Sequence, residues 1–513
     1  VIKESGILRG DEFISTETLN ERALRAATAL DSIGVGSGDA VALLLRNDIP
    51  FFEATLAAGA IGAASVPQNW HGKPEDVLGI LRDCKAKVVV AHADLLRPVL
   101  GLIPEGMEIR VVPTPDDIGK AYGIAKDLCA VPDGLVAWDT WVDEFDPWPD
   151  APVPAPGAMM YTSGTTGNPK GVRRKAKSAE AMTEDGYYSR MAEYFGVVPG
   201  ARAVVTGPMY HGAPHFWGLG WVRAGGFVVL QAKFDPEDLL RIIEEQQVSS
   251  LYLVPIMYSR LLKLPVDMRE KFDVSSLRHV TNAAAPCPRH VKQAMIDWWG
   301  PVVYEMYGSL ETGVCTGATA QEWMAHPGTV GKALPGVEVK ILDADGNEMP
   351  IGEPGEIYTQ IAQQPDFEYE GRPDARAEME KDGFLTAGDI GYLDDDGFLY
   401  LSDRKKDMVI SGGVNIYPPA VEEVLLTMPG VRDVAVFGIP DEEFGESVAA
   451  AVELDGTVEV TAGDVQMFIR DRMATFNAPK VVDFINQIPR LDSGKILKRE
   501  LREPYWAATG RTI

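Results

Sequence analysis

From Leu19 to Ile33 the apolar residues Leu19, Ala23, Ala26, Leu30 and Ile33 recur at steps of three or four, which sets them on one face of a helix. Thr18 stands where an N-cap is expected, and Gly34-Val35-Gly36-Ser37-Gly38 closes the element as a turn. The next run, Val41-Ala42-Leu43-Leu44-Leu45, shows no polar alternation and predicts a strand buried on both faces. A helix over 50–64 and a strand over 87–91 follow. Helix alternating with buried strand predicts an α/β fold, a mostly parallel sheet covered on both sides. A Pro-rich connector occupies 146–157, and the alternation resumes over 158–320. Strands are expected near 203–206, 226–230 and 251–254, and a helix near 236–247.

From 327 to 402 the pattern changes to short alternating strands, with Asp343-Ala344-Asp345-Gly346 and Asp394-Asp395-Asp396-Gly397 as hairpin turns. This stretch predicts a small β-barrel-like subdomain within a large N-terminal domain of α/β layers. Beyond it, a helix from Pro418, strands near 431–437 and 448–453, a helix near 462–473 and a strand near 481–485 predict a smaller α+β C-terminal domain. The expected boundary lies at 402/403, giving domains 1–402 and 403–513.

Composition narrows the functional classes. At 513 residues, and about 150 per domain, roughly three compact units are expected. With 48 Lys and Arg against 75 Asp and Glu the net charge is −27, which lacks the basic footprint of a nucleic-acid or anionic-membrane binder. The four cysteines (Cys84, Cys129, Cys287, Cys315) form no CxxC pair, so reduced thiols and a cytoplasmic location are expected. The longest apolar stretch, Leu56 to Val66, is too short to span a bilayer. Val1-Ile2-Lys3-Glu4 has neither an initiator Met nor the basic-then-apolar order of a signal peptide.

The most informative string is Tyr161-Thr162-Ser163-Gly164-Thr165-Thr166-Gly167-Asn168-Pro169-Lys170-Gly171. Its glycines let backbone N–H groups approach phosphate oxygens, its hydroxyls add donors, and Lys170 adds a point charge. The spacing is not that of a Walker loop. The string resembles the phosphate loop of the adenylate-forming superfamily, which includes acyl- and aryl-CoA synthetases, luciferases and peptide-synthetase adenylation domains. Further segments resemble that superfamily in the same order: Pro208-Met209-Tyr210-His211-Gly212, Tyr307-Gly308-Ser309-Leu310-Glu311-Thr312, Ala387-Gly388-Asp389, Asp403-Arg404-Lys405, Ser411-Gly412-Gly413-Val414-Asn415-Ile416-Tyr417-Pro418 and Pro489-Arg490-Leu491-Asp492-Ser493-Gly494-Lys495.

The resemblance implies a two-step ligase that uses ATP and CoA as co-substrates and Mg²⁺ as cofactor. A carboxylate is a poor electrophile, and attack on the α-phosphate of ATP turns it into a mixed anhydride with AMP as leaving group. Two anions must meet, so the site needs concentrated positive charge. By resemblance Lys495 supplies that charge, His211 gates the carboxylate site, and Glu311 with Thr166 holds the metal. Thr162, Ser163, Gly164, Thr165, Thr166, Gly167 and Lys170 cradle phosphates. Tyr307 stacks on adenine opposite Ala284, Ala285 and Pro286, with Gly308, Ser309 and Thr312 beside it. Asp389 and Arg404 fix the ribose. Asp403 is by resemblance the hinge that makes the C-terminal domain mobile, and Gly412 and Gly413 border a CoA channel.

Tyr210, His215, Trp217, Tyr252, Pro255, Ile256, Ala283 and Val314 are expected around the acyl group. Small alanines flanked by aromatics predict a roomy apolar cavity for a bulky acid: fatty, steroid-type or aryl-alkanoic. Two positions depart from the family pattern. Leu310 stands where a threonine normally precedes the metal-binding Glu, and Ala387 where a threonine precedes Gly-Asp. Ser309 or Thr312 is expected to compensate for the first. Other readings are transfer of the acyl group to a carrier protein, and a nucleotide-binding relative with little turnover. A homodimer is compatible with the resemblance.

Overall fold

The computed structural model describes residues 4–507, except 163–168, 177–194, 199, 363, 405–406, 413 and 492–493. Five sheets organise the described residues. The first is parallel throughout, in the order Ala64–Pro67, Ala40–Leu44, Val88–His92, Glu108–Val112, Val136–Ala137. The strand Ala40–Leu44 is buried on both faces. Val41 and Leu43 point into the core shared with the helices Thr16–Ser32 and Ile49–Ala60, while Ala40, Ala42 and Leu44 point into a second core under Pro74–Asp83.

The largest sheet has nine strands. Six run parallel, in the order Val303–Ser309, His279–Asn282, Ser250–Leu253, Arg202–Val205, Phe227–Leu230, Gly6–Arg9, with antiparallel strands at both edges. The main core fills the space between these two sheets. Phe51 and Phe52 of the helix Ile49–Ala60 and Trp221 of the helix Gly212–Arg223 are fully buried in it. Helix Thr16–Ser32 begins earlier than the periodicity indicates: Ser15, not Thr18, is the N-cap, its hydroxyl accepting from the Thr18 N–H. The helix expected over 50–64 ends at Ala60, because Ala64–Pro67 pairs as a strand instead.

A three-stranded antiparallel sheet joins Met160–Thr162, Lys170–Arg174 and Phe367–Tyr369. The β-rich subdomain is a five-stranded antiparallel sheet in which Phe384–Leu393 pairs with Gly355–Ile361 and with Leu399–Arg404. The turn expected at 394–397 joins the last two, and Gly397 takes the φ of +80° that such a turn needs. The C-terminal sheet is centred on Val431–Asp441 and Gly445–Leu454, against the helices Pro418–Leu425, Ala462–Arg470 and Lys498–Ala507.

Candidate active site

Residues from all five sheets wall one continuous cleft and cavity of about 2550 Å³. At one end, antiparallel pairing sets Asp389 directly opposite Arg404. The Tyr307 hydroxyl donates to Asp389 Oδ2 at 2.8 Å, and Arg404 Nε approaches Oδ1 at 3.3 Å. Each oxygen of this buried carboxylate therefore meets one donor. Burial, reinforced by Asp389, raises the Tyr307 pKa well above its usual value and keeps the phenol protonated. Ala284, Ala285 and Pro286 line the same cleft, and Ala284 adopts a φ of +74°. Such a backbone is costly for a residue with a Cβ and persists where surrounding structure imposes it.

Glu311 lies on a turn held from several sides. The Ser309 hydroxyl accepts from the N–H groups of Glu311 (3.2 Å) and Thr312 (3.0 Å) and bonds the Thr312 hydroxyl at 3.0 Å. Both hydroxyls expected to compensate for Leu310 are thus engaged within the turn itself. Arg174 donates to the carbonyls of Leu310 (2.6 Å) and Glu311 (3.1 Å). The Tyr369 hydroxyl donates to Glu311 Oε1 at 2.9 Å, while the Lys170 ammonium lies 4.9 Å from the Tyr369 ring centroid. Leu310 packs with Val172, Phe367 and Tyr369, and a Cβ on Gly212 would come within 2.3 Å of its Cδ2. Thr162 and Gly308 line the cleft. Ser163, Gly164, Thr165, Thr166 and Gly167 lie outside the described residues.

Lys495 enters this cleft from the C-terminal part of the chain. Burial and then Arg404 lower its pKa to about 8, against the opposing pull of Asp407, Asp389 and Glu311. Arg490 braces the loop: it pairs with both oxygens of Asp433 (2.8 and 3.1 Å) and donates to the Gly494 carbonyl at 2.6 Å. Arg289 Nε meets Glu423 Oε1 at 3.2 Å across the same junction. Asp403 Oδ1 accepts from the Arg404 N–H at 2.7 Å, while its buried Oδ2 has no hydrogen-bond partner among the described residues. Burial raises its pKa to about 7; Lys498 opposes the shift, and Asp407 and Glu422 add to it.

Of the residues expected around the acyl group, Tyr210, Trp217, Tyr252, Pro255, Ile256, Ala283 and Val314 are on the cavity wall, as is His211. His215 is not on it. As N-cap of the helix Gly212–Arg223, His211 has an extended backbone, so a spacing of four does not put the two rings on one face. His215 is instead fully buried against Phe51, and burial lowers its pKa to about 3. Gly412 is also off the wall; a Cβ there would come within 2.9 Å of the Phe444 ring. Gly413 is outside the described residues. Tyr369, Arg174 and Asp433 carry no motif signal, and only their contacts reveal them; Arg490 stands inside the Lys495 segment, but its pairing with Asp433 is seen only in the structure.

Two family models match the chain: the AMP-binding enzyme model over residues 5–363, and the AMP-binding enzyme C-terminal domain over residues 420–495. The chain belongs to the AMP-binding enzymes. This AMP-binding enzyme is 32% identical over 498 residues to a long-chain-fatty-acid–CoA ligase of Mycobacterium tuberculosis, covering 95% of the present chain and 92% of the relative. It is 31% identical to a feruloyl-CoA synthase of an Amycolatopsis species, covering 98% and 96%. Among solved structures it resembles ATP-bound MatB from Rhodopseudomonas palustris, with TM-score 0.82, 28% identity, and coverage of 98% and 96%. For the apo form of MatB the TM-score is 0.74. Among the described residues no helix is long and apolar enough to cross a membrane.

Proposed function

We propose that this enzyme is an AMP-forming acyl-CoA ligase acting on a bulky apolar carboxylic acid in the cytoplasm. One observation carries the reading: the Lys495 ammonium shares a cleft with the Tyr307–Asp389–Arg404 cluster and Glu311. In the first half-reaction a carboxylate oxygen bonds to the α-phosphorus of ATP and the bond to the β-phosphate oxygen breaks. Pyrophosphate leaves with the electron pair. Lys495 offsets the negative charge where the two anions meet, and Asp389 with Arg404 orients the nucleoside. Lys170 and the adjoining loop receive the departing phosphates.

Glu311 suits a divalent cation: Tyr369 engages one of its oxygens, and Mg²⁺ typically takes one or two carboxylates together with substrate phosphates. When bound there, Mg²⁺ would neutralise phosphate oxygens. The second half-reaction forms a bond from the CoA sulfur to the acyl carbon and breaks the acyl–oxygen bond to AMP, the thiol proton being lost. We place the boundary at 402/403 and the hinge at Asp403, whose rotation would withdraw Lys495 and bring Gly412 and Gly413 toward the acyl-adenylate. Ile410, Val414 and Phe444 stand exposed near Gly412 and would find cover in that second arrangement.

The test is AMP release from ATP over a panel of carboxylic acids, with and without CoA. AMP release that requires both an acid and CoA is the expected result. Release that ignores CoA, or no release with any acid, contradicts the proposal.

A further inference from the structure

Most polar atoms on the acyl wall are already satisfied. Glu305 reaches the cavity, but its carboxylate is held by Lys292 and by Asn282 Nδ2 at 2.9 and 3.0 Å. The Ser259 hydroxyl donates to the Pro255 carbonyl at 3.2 Å. Two groups differ. Tyr252, on the strand Ser250–Leu253, is 4% exposed, and among the described residues its hydroxyl has no hydrogen-bond partner. Trp217, on the helix Gly212–Arg223, is 6% exposed, and its Nε1–H has none either. Both line the cavity, and their ring centroids are 6.4 Å apart. Tyr258, Trp221 and Trp299 also bury unpartnered polar atoms, but none of them is on the cavity wall.

An indole N–H can only donate. Burial raises the Tyr252 pKa, so its phenol keeps its proton and can donate as well. A plain hydrocarbon in this cavity would bury both donors without partners, which is costly. An acceptor on the substrate removes that cost.

We propose that the acid accepted here carries an oxygen remote from its carboxyl group, recognised by the Tyr252 hydroxyl and the Trp217 N–H. It is a hydroxy-, alkoxy- or oxo-substituted aryl or alicyclic acid rather than a simple fatty chain. This inference rests on the ligase reading above and specifies its substrate class.

The experiment compares kcat/KM for CoA-dependent AMP release between matched acids. One set is 3-phenylpropanoic acid with its three ring-hydroxylated isomers; another is 2-naphthylacetic acid with its 6-methoxy derivative; decanoic acid is the plain chain. Wild type, Tyr252→Phe and Trp217→Phe are measured side by side. In the wild type at least one oxygenated acid exceeds its parent by on the order of tenfold or more, since a site built to hydrogen-bond a group rejects the analogue lacking it. Each variant shrinks that ratio, taken between the two acids within the same variant, to within about threefold. Equal turnover of parent and oxygenated acids by wild type overturns the inference alone. So does a variant that slows both acids equally, because the side chain then acts only in packing. Absence of CoA-dependent AMP release with every acid overturns the ligase reading and the inference together.

Discussion

Gly494 rests directly against Ile256: a Cβ at position 494 would come within 2.6 Å of the Ile256 Cγ2. The residue before Lys495 is thus seated on the acyl wall, and only a residue without a side chain fits this close approach. Its φ of +81° adds a second reason for glycine.

Gly494→Ala should therefore lift the loop and displace the Lys495 ammonium. A displacement of about 1 Å at a reacting group can cost on the order of a hundredfold in rate. Acid-dependent exchange of pyrophosphate into ATP should fall by roughly that factor, while thioester formation from synthetic acyl-adenylate changes little. Unchanged exchange would show that the seating does not matter.

Tyr369→Phe removes the hydroxyl that donates to Glu311 Oε1 but keeps the ring beside Lys170. Second-sphere partners of a metal ligand typically contribute about 10–100-fold in affinity. A Mg²⁺ titration at fixed ATP should show a half-saturation raised by about tenfold, with kcat at saturating metal nearly retained. A drop in kcat alone would point to a role other than holding Glu311.

Leu310→Thr exchanges apolar packing for a hydroxyl at the head of the Glu311 turn. Losing leucine from the cluster with Val172, Phe367 and Tyr369 should cost on the order of 1–3 kcal/mol and lower the melting temperature. The KM for ATP should fall, because the added donor can meet a phosphate. A KM that rises would show that the leucine shapes the turn.

Two pKa shifts act on different properties, and both effects are lost as pH rises. With Lys495 lowered to about 8, its positive charge is present below that pH and lost above it, so kcat/KM for adenylate formation should decline as pH rises through about 8. Asp403, raised to about 7, binds its proton more tightly in this arrangement than when unfolded. Its contribution to stability is full below its ordinary value of 3.8 and disappears as pH rises through about 7. Asp403→Asn should remove that part of the pH dependence of thermal stability and leave the alkaline limb of the rate profile intact.

Resemblance to family motifs singled out Tyr307, Glu311, Asp389, Arg404 and Lys495 in the sequence, and the structure brings all five to one cleft. Their supports were not legible. Tyr369 meets Glu311 across 58 positions, Arg174 reaches Glu311 across 137, and Arg490 meets Asp433 across 57. No local period encodes such pairings. The same holds for the strand Gly6–Arg9, which joins the nine-stranded sheet only by pairing with Phe227–Leu230. His215, expected around the acyl group, is off the cavity wall, because the helix Gly212–Arg223 that begins after the extended N-cap His211 turns its ring into the core against Phe51.

The central claim is that Lys495 serves adenylate formation and is dispensable once the adenylate exists. Lys495→Ala, assayed separately for pyrophosphate exchange and for CoA-dependent consumption of synthetic acyl-adenylate, tests it most directly. Exchange should fall by on the order of a thousandfold or more, as for loss of a main charge-stabilising group, with thioester formation within severalfold of wild type. Equal loss of both half-reactions would contradict it.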